Sequence, residues 1–135
     1  MIRIEGLHLS VGNFALKDVS LNVAPGEYFV LLGPSGAGKT LLLRALADLD
    51  VNQGEVSLDG VSREQLTPMA CRRQIGYLPA ESRWWGNTVA EHFERVDTRQ
   101  LSSLGFDTAV SDWRVERLSS GERQRLALAR LLANR

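Results

Sequence analysis

The sequence predicts an α/β fold, and three features of the chain lead to this prediction. Apolar residues alternate in two segments near the N-terminus, residues 2–9 and 15–23, as they do in half-buried strands. A continuous apolar run at residues 28–32 precedes a glycine-rich loop and leucines at helical spacing, which is typical of a buried parallel strand that leads into a helix. The last segment, residues 119–135, has the pattern of an amphipathic helix. We therefore expect an antiparallel β lobe, a parallel sheet around the helix after the glycine-rich loop, and a small helical part.

Local signals predict the shorter elements. Residues 55–60 and 74–79 have the pattern of short strands, and residues 63–73 that of a helix after a loop. Thr88 stands three residues before Glu91, which is the capping-box spacing and predicts a helix over the next residues. The same spacing recurs at the start of the last amphipathic segment.

Composition excludes several classes of function. Basic and acidic residues number 16 each, so bulk charge does not draw the chain to nucleic acid or to acidic lipid. The single cysteine, Cys71, excludes an internal disulfide and fits a reduced compartment. No apolar run reaches membrane-spanning length, and residues 1–10 lack the apolar core of a secretion signal. We expect a cytosolic protein; if it works at a membrane, another chain crosses that membrane.

The glycine-rich loop, GPSGAGKT at residues 33–40, matches G-x-x-x-x-G-K-[ST] between the predicted strand and helix. Its glycines let the backbone curl so that N–H groups face phosphate oxygens, and the helix N-terminus adds a positive dipole. Lys39, one of only two lysines, then reaches the β- and γ-phosphates, and the Thr40 hydroxyl is placed to bind Mg²⁺. The alternative is a glycine-rich turn without a ligand. The predicted nucleotide-binding residues are Gly33, Pro34, Ser35, Gly36, Ala37, Gly38, Lys39, Thr40 and Leu41.

A second motif opens the last amphipathic segment. It consists of Leu118, Ser119, Ser120, Gly121 and Glu122. Its hydroxyls and free N–H groups at a helix N-terminus predict a second anion site, and the alternative is that serine and glutamate only cap the helix. With the following RQRLALARLL, the motif resembles the signature sequence of ATP-binding-cassette (ABC) ATPases, usually LSGGQ or LSGGE. The N-terminal half resembles the same family, so the resemblance covers essentially the whole chain.

The resemblance implies a P-loop NTPase of the ABC ATPase type, with ATP and Mg²⁺ as cofactors. Two such cassettes pair head to tail in that family, and the signature of one contacts the γ-phosphate held by the other. A membrane permease is the other implied partner, and no nucleic acid is expected. The family pattern divides the chain into a β lobe with the P-loop core at 1–79, a helical subdomain at 80–117, and the signature motif with its helix returning to the core at 118–135.

The chain departs from the family pattern at three positions. The aromatic residue that stacks on adenine in the family is expected at Val11, and Phe14, the nearest aromatic, is either a substitute or a core residue. The Q-loop position holds Ala80, which offers no group to bind Mg²⁺ or to position water. Glu81 beside it is either an oxygen ligand in a shifted register or a solvated loop residue. Ser120 replaces the first glycine of the signature but keeps its N–H and adds a hydroxyl.

The sequence ends at Arg135, before the strand that holds the Mg²⁺-orienting aspartate and the catalytic glutamate in the family. His8 and His92 precede the signature, so neither matches the switch histidine. We therefore expect no catalytic residue within this chain, and slow or absent ATP hydrolysis by the chain alone. We also expect marginal stability and aggregation, because the C-terminal strands of the parallel sheet are missing.

The segment between the two motifs leaves two questions open. Arg83, Trp84 and Trp85 follow the Q-loop position, where family members border a groove for the coupling helix of the permease. The tryptophans either serve that interface, or at least one packs inside the subdomain. The basic residues near the signature either contact phosphates or nucleic acid, or form a salt-bridged surface with neighbouring acids. They are Arg114, Arg117, Arg123, Arg125 and Arg130.

Three functions follow from these observations. The first is the ATP-binding subunit of an ABC-type transporter, an ATPase by family, dimeric and peripheral on the cytoplasmic face of the cell membrane. The second is a non-catalytic nucleotide-binding or regulatory remnant of a truncated gene, which Val11 and Ala80 favour. The third is a soluble relative that acts in DNA repair or translation.

Overall fold

The computed structural model describes residues 1–95 and 97–133, and the chain forms two compact units, Met1–Ile75 and Gly76–Arg135. The strands and α-helices are β1 (Ile2–Val11), β2 (Phe14–Val23), α1 (Lys39–Leu46), β3 (Gln53–Leu58), β4 (Val61–Ser62), α2 (Pro68–Gln74), α3 (Thr98–Ser103) and α4 (Ser120–Ala133). Short 3₁₀ helices lie at Arg63–Gln65, Ala90–His92, Thr108–Asp112 and Val115–Arg117. Within the described ranges, no helix has both the length and the apolar character needed to cross a membrane.

The first unit is built on one antiparallel sheet with the strand order β2-β1-β3-β4. A two-residue turn, Gly12-Asn13, joins β1 to β2 and sets Val11 opposite Phe14. Gly12 has a φ of 58°, and a positive φ at the first residue of such a turn favours glycine. The two predicted N-terminal strands are thereby confirmed as a hairpin.

The core of the first unit lies between this sheet and α1. The register of β1 against β2 shifts between Ile4 and Leu7, where Gly6 has a φ of 56°. This bulge inserts an extra residue, so Leu7 joins Ile4 on the buried face although the two are three residues apart. Both side chains pack with Leu42 and Ala45 of α1. Because α1 begins at Lys39, the packing fixes the end of the glycine-rich loop against the sheet.

The α/β class is confirmed, but neither the parallel strand predicted at residues 28–32 nor the short strand predicted at residues 74–79 forms. Residues 28–32 are in no strand, and Tyr28, Val30 and Leu32 are 96%, 70% and 84% exposed. Residues 75–78 are also outside any strand. A parallel strand is buried only when strands pair with it on both sides and helices cover it, and no described segment pairs with residues 28–32. The expected parallel sheet around α1 is therefore wrong for the residues that the structure describes.

The second unit is organised by α4. This helix packs Leu126 and Ala129 into an apolar cluster with the segment before it. The other buried members of the cluster are Val89, Leu101, Phe106, Val110 and Leu118. The helix expected after Thr88 is only the 3₁₀ helix Ala90–His92.

Candidate functional site

The glycine-rich loop leads into α1 in a conformation that only glycines adopt without strain. Gly33, Gly36 and Gly38 have φ values of 154°, 80° and 88°. Lys39 Nζ donates to the carbonyl oxygens of Gly33 and Pro34 at 2.7 and 2.6 Å. The lysine ammonium is thus held over the curl of the loop, at the start of the helix.

The N-terminus of α1 presents backbone N–H groups to solvent. Gly38 is the N-cap residue, no side chain of the described residues caps the helix, and its first turn carries no acidic residue. The loop and the first turn enclose a cavity of about 250 Å³, lined in part by Ser35, Gly36 and Thr40. A larger cavity of about 440 Å³ lies beside α3, so volume alone does not mark the site. The uncapped helix N-terminus and Lys39 distinguish this cavity, because both favour an anion there.

Phe14 lies directly against this site. A Cβ atom at Gly38 would stand 2.5 Å from Phe14 Cζ and 3.3 Å from Leu16 Cδ2, so the ring packs on the backbone of the loop's last glycine. Phe14 is half-buried, whereas Val11, its partner across the hairpin, is exposed. Of the two residues considered for adenine stacking, only Phe14 contacts the loop in the described structure.

The opposite end of α1 is anchored by polar contacts that sequence analysis missed. Arg44 forms a bidentate pair with Asp50, with two N–O distances of 2.7 Å, and the arginine's hydrogen bonds lower the pKa of the aspartate. The carbonyl oxygen of Ala45 accepts from Arg63 at 2.8 Å and from Asn52 at 3.3 Å. These contacts give the Ala45 carbonyl oxygen its hydrogen-bond partners and anchor the C-terminal end of α1. Of these residues, only Arg44 could have been noticed in the sequence, as a basic residue in the last turn of α1.

The signature motif forms the N-terminus of α4. Glu122 accepts from the N–H and the hydroxyl of Ser119 at 2.8 and 2.7 Å, and the Glu122 N–H points back to the serine oxygen at 3.3 Å. The predicted capping box is therefore confirmed, and the serine hydroxyl lowers the pKa of the glutamate. Ser120 and Gly121 are exposed at the helix end, while Leu118 is buried in the apolar cluster. The Ser119 hydroxyl is engaged in the cap, so Ser120 is the better placed of the two hydroxyls for a ligand.

The arginines around the signature are largely used within the second unit. Arg117 stacks on Trp113 at 4.8 Å, Arg125 on Phe106 at 5.1 Å, and Arg130 on both Trp84 and Trp85. Arg123 donates to the carbonyl oxygen of Val115, and Arg114 pairs with Glu116. Cation–π contacts rather than salt bridges dominate, which differs from the simpler interpretation of the sequence.

Trp84 and Trp85, called here the tryptophan pair, have opposite surroundings. Trp84 packs against the apolar cluster, whereas Trp85 is 71% exposed. His92 lies between them, with ring centres 4.7 Å from Trp84 and 4.6 Å from Trp85. Trp84 therefore agrees with the hypothesis that at least one tryptophan packs inside the subdomain. Trp85 is exposed and remains available for an interface.

The side chains of Glu91 and His92 accept hydrogen bonds from the N–H groups of four consecutive residues, 85–88. His92 Nε2 accepts from the N–H groups of Trp85 and Gly86, both at 2.9 Å. Since that nitrogen faces two donors, the ring proton is on Nδ1, which donates to the carbonyl oxygen of Thr88 at 2.9 Å. The Glu91 carboxylate accepts from the N–H groups of the next two residues, 87 and 88. The Thr88 hydroxyl also donates to it and lowers its pKa.

Ala80 and Glu81, at the expected Q-loop position, are both exposed. Gln124 of α4 donates to the carbonyl oxygen of Pro79 at 3.2 Å, which ties the residue before them to the signature helix. Among the described residues, no group of three His, Cys, Asp or Glu side chains is arranged to hold a metal ion.

The fold and the loop define a P-loop nucleotide-binding domain of the α/β class. The model of the family described as ABC transporter matches residues 16–135, and the chain belongs to that family. It is 36% identical to a sulfate/thiosulfate import ATP-binding protein of Chromobacterium violaceum, over 98% of this chain and 42% of the relative. It is 33% identical to ATP-binding cassette sub-family B member 6 of Mesocricetus auratus, over 97% of this chain and 18% of the relative.

A solved structure of a bacterial Atm1-family ABC exporter with ATP bound has the same fold. It matches with a TM-score of 0.82 and 23% identity, over 98% of this chain and 27% of that chain. This chain thus spans less than half the length of each of these three proteins.

Proposed function

We propose that this chain is the ATP-binding part of an ABC-type transporter and binds Mg-ATP to drive a separate membrane permease. The observation that carries the proposal is the loop at residues 33–40, where Lys39 and the uncapped first turn of α1 converge on an open cavity. An anionic phosphate chain is the ligand that such an arrangement favours. Relatives named as import ATP-binding proteins support the same function for this chain.

Each predicted loop residue has a role in this proposal. Gly33, Gly36 and Gly38 shape the curl, and the N–H groups of Ser35, Gly36 and residues 38–41 are proposed to face the phosphates, whereas the Ala37 N–H donates to the carbonyl oxygen of Pro34. Lys39 exchanges its contacts with the loop carbonyls for contacts with the β- and γ-phosphates. The exposed Thr40 hydroxyl is the one protein ligand proposed for Mg²⁺, which when bound would neutralise phosphate charge.

The base of the nucleotide is proposed to lie beside Phe14. Its ring already borders the phosphate loop at Gly38, whereas Val11 offers no aromatic surface. A loss of ATP affinity in Phe14→Ala, with unchanged affinity for inorganic tripolyphosphate, would support base stacking. An equal loss for both ligands would mean that the ring only supports the loop.

The signature residues Ser120 and Gly121 are proposed to contact the γ-phosphate held by a second cassette in a head-to-tail dimer. Their exposure at the N-terminus of a 14-residue helix supports this role. Trp85 is proposed as a contact for the permease, because an exposed tryptophan beside an arginine is typical of interface anchors. The protein would then be cytoplasmic and peripheral on the inner face of the membrane, with a β lobe and P-loop core at 1–79, a helical subdomain at 80–117 and a signature segment at 118–135.

A non-catalytic nucleotide-binding or regulatory role is the alternative. Ala80 supports it, since a methyl group at the Q-loop position neither binds Mg²⁺ nor orients water. We propose that this chain alone binds ATP without efficient hydrolysis, with Glu81 as a solvated loop residue.

Calorimetric titration of Mg-ATP into the 135-residue chain tests the proposal. Lys39→Ala should lose binding, because Lys39 is the cation at the loop. Lys17→Ala is the matched control, since it removes the only other lysine, which is exposed on β2. Binding that survives in Lys39→Ala, or that both variants lose equally, would refute the site assignment.

A further inference from the structure

Arg130 of α4 contacts three consecutive residues of the segment after the Q-loop position. Its Nη1 and Nη2 atoms donate to the carbonyl oxygen of Arg83 at 3.2 and 3.3 Å. Its guanidinium carbon lies 5.0 Å from the ring centre of Trp84 and 4.8 Å from that of Trp85. The side chain is half-buried, and burial lowers its pKa. A single guanidinium thus contacts both the backbone of Arg83 and the rings of the tryptophan pair.

We propose that Arg130 is a positioning residue that couples the tryptophan pair to the helix carrying the signature motif. A partner that binds the exposed ring of Trp85 then acts on α4 through the guanidinium. The identity of that partner rests on the proposed function, whereas the coupling lies entirely within the second unit.

A second contact fixes the position of the segment along α4. Gln124, six residues before Arg130 on α4, donates to the carbonyl oxygen of Pro79 at 3.2 Å. The two contacts are about 9 Å apart along the helix at 1.5 Å per residue. They hold the two ends of residues 79–83, so this segment cannot slide along α4 without breaking one of them. Ser120 begins the same helix about 15 Å from Arg130, so displacement at the tryptophan pair reaches the signature through one rigid element.

His92 also contacts both members of the tryptophan pair. Its ring packs on both tryptophans, and its Nε2 atom accepts the N–H group of Trp85. These contacts hold the backbone and the ring of Trp85 to His92. Arg130 connects the pair to α4, since its guanidinium lies over both indole rings and belongs to that helix.

Arginine is suited to this position and lysine is not. The planar guanidinium presents two N–H groups to one carbonyl oxygen while its faces lie against two indole rings. A lysine ammonium keeps the charge but has no plane to stack. Arg125 offers a matched control, because it belongs to the same helix and stacks on Phe106 without touching residues 83–85.

Hydrogen–deuterium exchange of the nucleotide-free chain tests the coupling in wild type, Arg130→Gln, Trp85→Ala and the double variant. In Arg130→Gln, we expect amide exchange in residues 80–86 to rise about tenfold, the effect of losing the cation–π contacts and the hydrogen bonds to the Arg83 carbonyl oxygen. Arg125→Gln should leave residues 80–86 unchanged. Trp85→Ala should alter exchange at residues 118–123 in the wild-type background and add nothing when Arg130 is already replaced. Additive effects of the two substitutions would overturn the proposal, as would a uniform rise across residues 76–133 in Arg130→Gln.

A spectroscopic signature separates positioning from general stability. With 5-fluorotryptophan, the chain gives three resonances, from Trp84, Trp85 and Trp113. Arg130→Lys, the milder variant should Arg130→Gln fail to fold, is expected to shift the resonances of Trp84 and Trp85 and to leave that of Trp113 in place. Three unchanged resonances, or three equally shifted ones, would contradict a specific role. Since no nucleotide is present in these samples, a failed coupling test leaves the ATP-binding proposal standing, and a failed ATP titration leaves the coupling standing.

Discussion

The Phe14 ring packs so closely on Gly38 that a methyl group at residue 38 would come within 2.5 Å of its Cζ atom. The hairpin that bears Phe14 and the loop that bears Gly38 are thus fitted to each other, and two separate constraints select glycine at this position. One is the contact with the ring, and the other is the φ of 88°.

Gly38→Ala should destabilise the loop through both constraints. A non-glycine residue at positive φ costs about 1–2 kcal/mol, and the clash with the ring adds to it. Gly36→Ala is the matched control, because Gly36 has a φ of 80° but open space around its Cα. Thermal unfolding and Mg-ATP titration should both show the larger loss for Gly38→Ala. Adding Phe14→Ala to Gly38→Ala should recover only the part of the loss by which Gly38→Ala exceeds Gly36→Ala. Equal losses in the two glycine variants would contradict the packing argument.

His92→Phe should destabilise the second unit by about 1–3 kcal/mol, because the N–H groups of Trp85 and Gly86 lose their acceptor. The substituted ring keeps most of the aromatic packing, so the loss reports the hydrogen bonds. His8→Phe is the control on an exposed histidine and should stay within about 0.5 kcal/mol. Urea unfolding followed by far-ultraviolet circular dichroism, which reports on both units, measures both. A cost for His92→Phe no greater than that of the control would contradict the assigned tautomer and its two acceptor bonds.

The cap at Glu122 should make the stability of α4 depend on pH. The Ser119 hydroxyl and N–H hold the pKa of this carboxylate below its ordinary value, so the folded state favours the charged form. The resulting stabilisation is complete above the ordinary glutamate pKa, about 4.3, and is lost as pH falls through the lower pKa of the folded state. The difference in thermal midpoint between wild type and Glu122→Gln should therefore shrink on acidification. In Ser119→Ala, the pKa of Glu122 measured by NMR should rise, and an unchanged value would refute the cap as its cause.

Leu126→Ala should cost about 2–5 kcal/mol, because Leu126 is fully buried in the apolar cluster of the second unit. Leu132→Ala, on the same helix, is the control, since Leu132 is 41% exposed and should lose much less. Chemical denaturation of the two variants gives the comparison. Similar costs would mean that α4 does not organise this unit.

The elements that could be predicted are those whose signal is contained in their own residues. The hairpin followed from alternation, and α4 followed from its capping box and apolar spacing. α1 also formed where predicted, although it ends at Leu46, earlier than its leucine pattern suggested. Residues 28–32 could not be predicted in this way, because a parallel strand depends on partners elsewhere in a sheet rather than on its own apolar content.

The same distinction separates the features of the candidate site that could be predicted from those that could not. The phosphate loop was evident from spacing alone, since its chemistry resides in consecutive residues. The contact of Phe14 with Gly38 and that of Arg130 with the tryptophan pair join residues more than twenty positions apart. Neither follows a repeat that a sequence pattern could reveal. The stacking of the arginines on aromatic rings was likewise hidden, because their acidic neighbours in the sequence suggested ion pairs instead.

The pinning of the N–H groups of residues 85–88 by Glu91 and His92 has a kinetic consequence for Trp85. An exposed indole on a loose loop must be ordered at each encounter, which lowers affinity and slows productive docking. Here the loop is ordered before any partner arrives, so the indole meets a partner in one orientation. The rate of association at Trp85 should then be limited by the collision itself. The lifetime of the complex should depend on how much of the indole the partner buries.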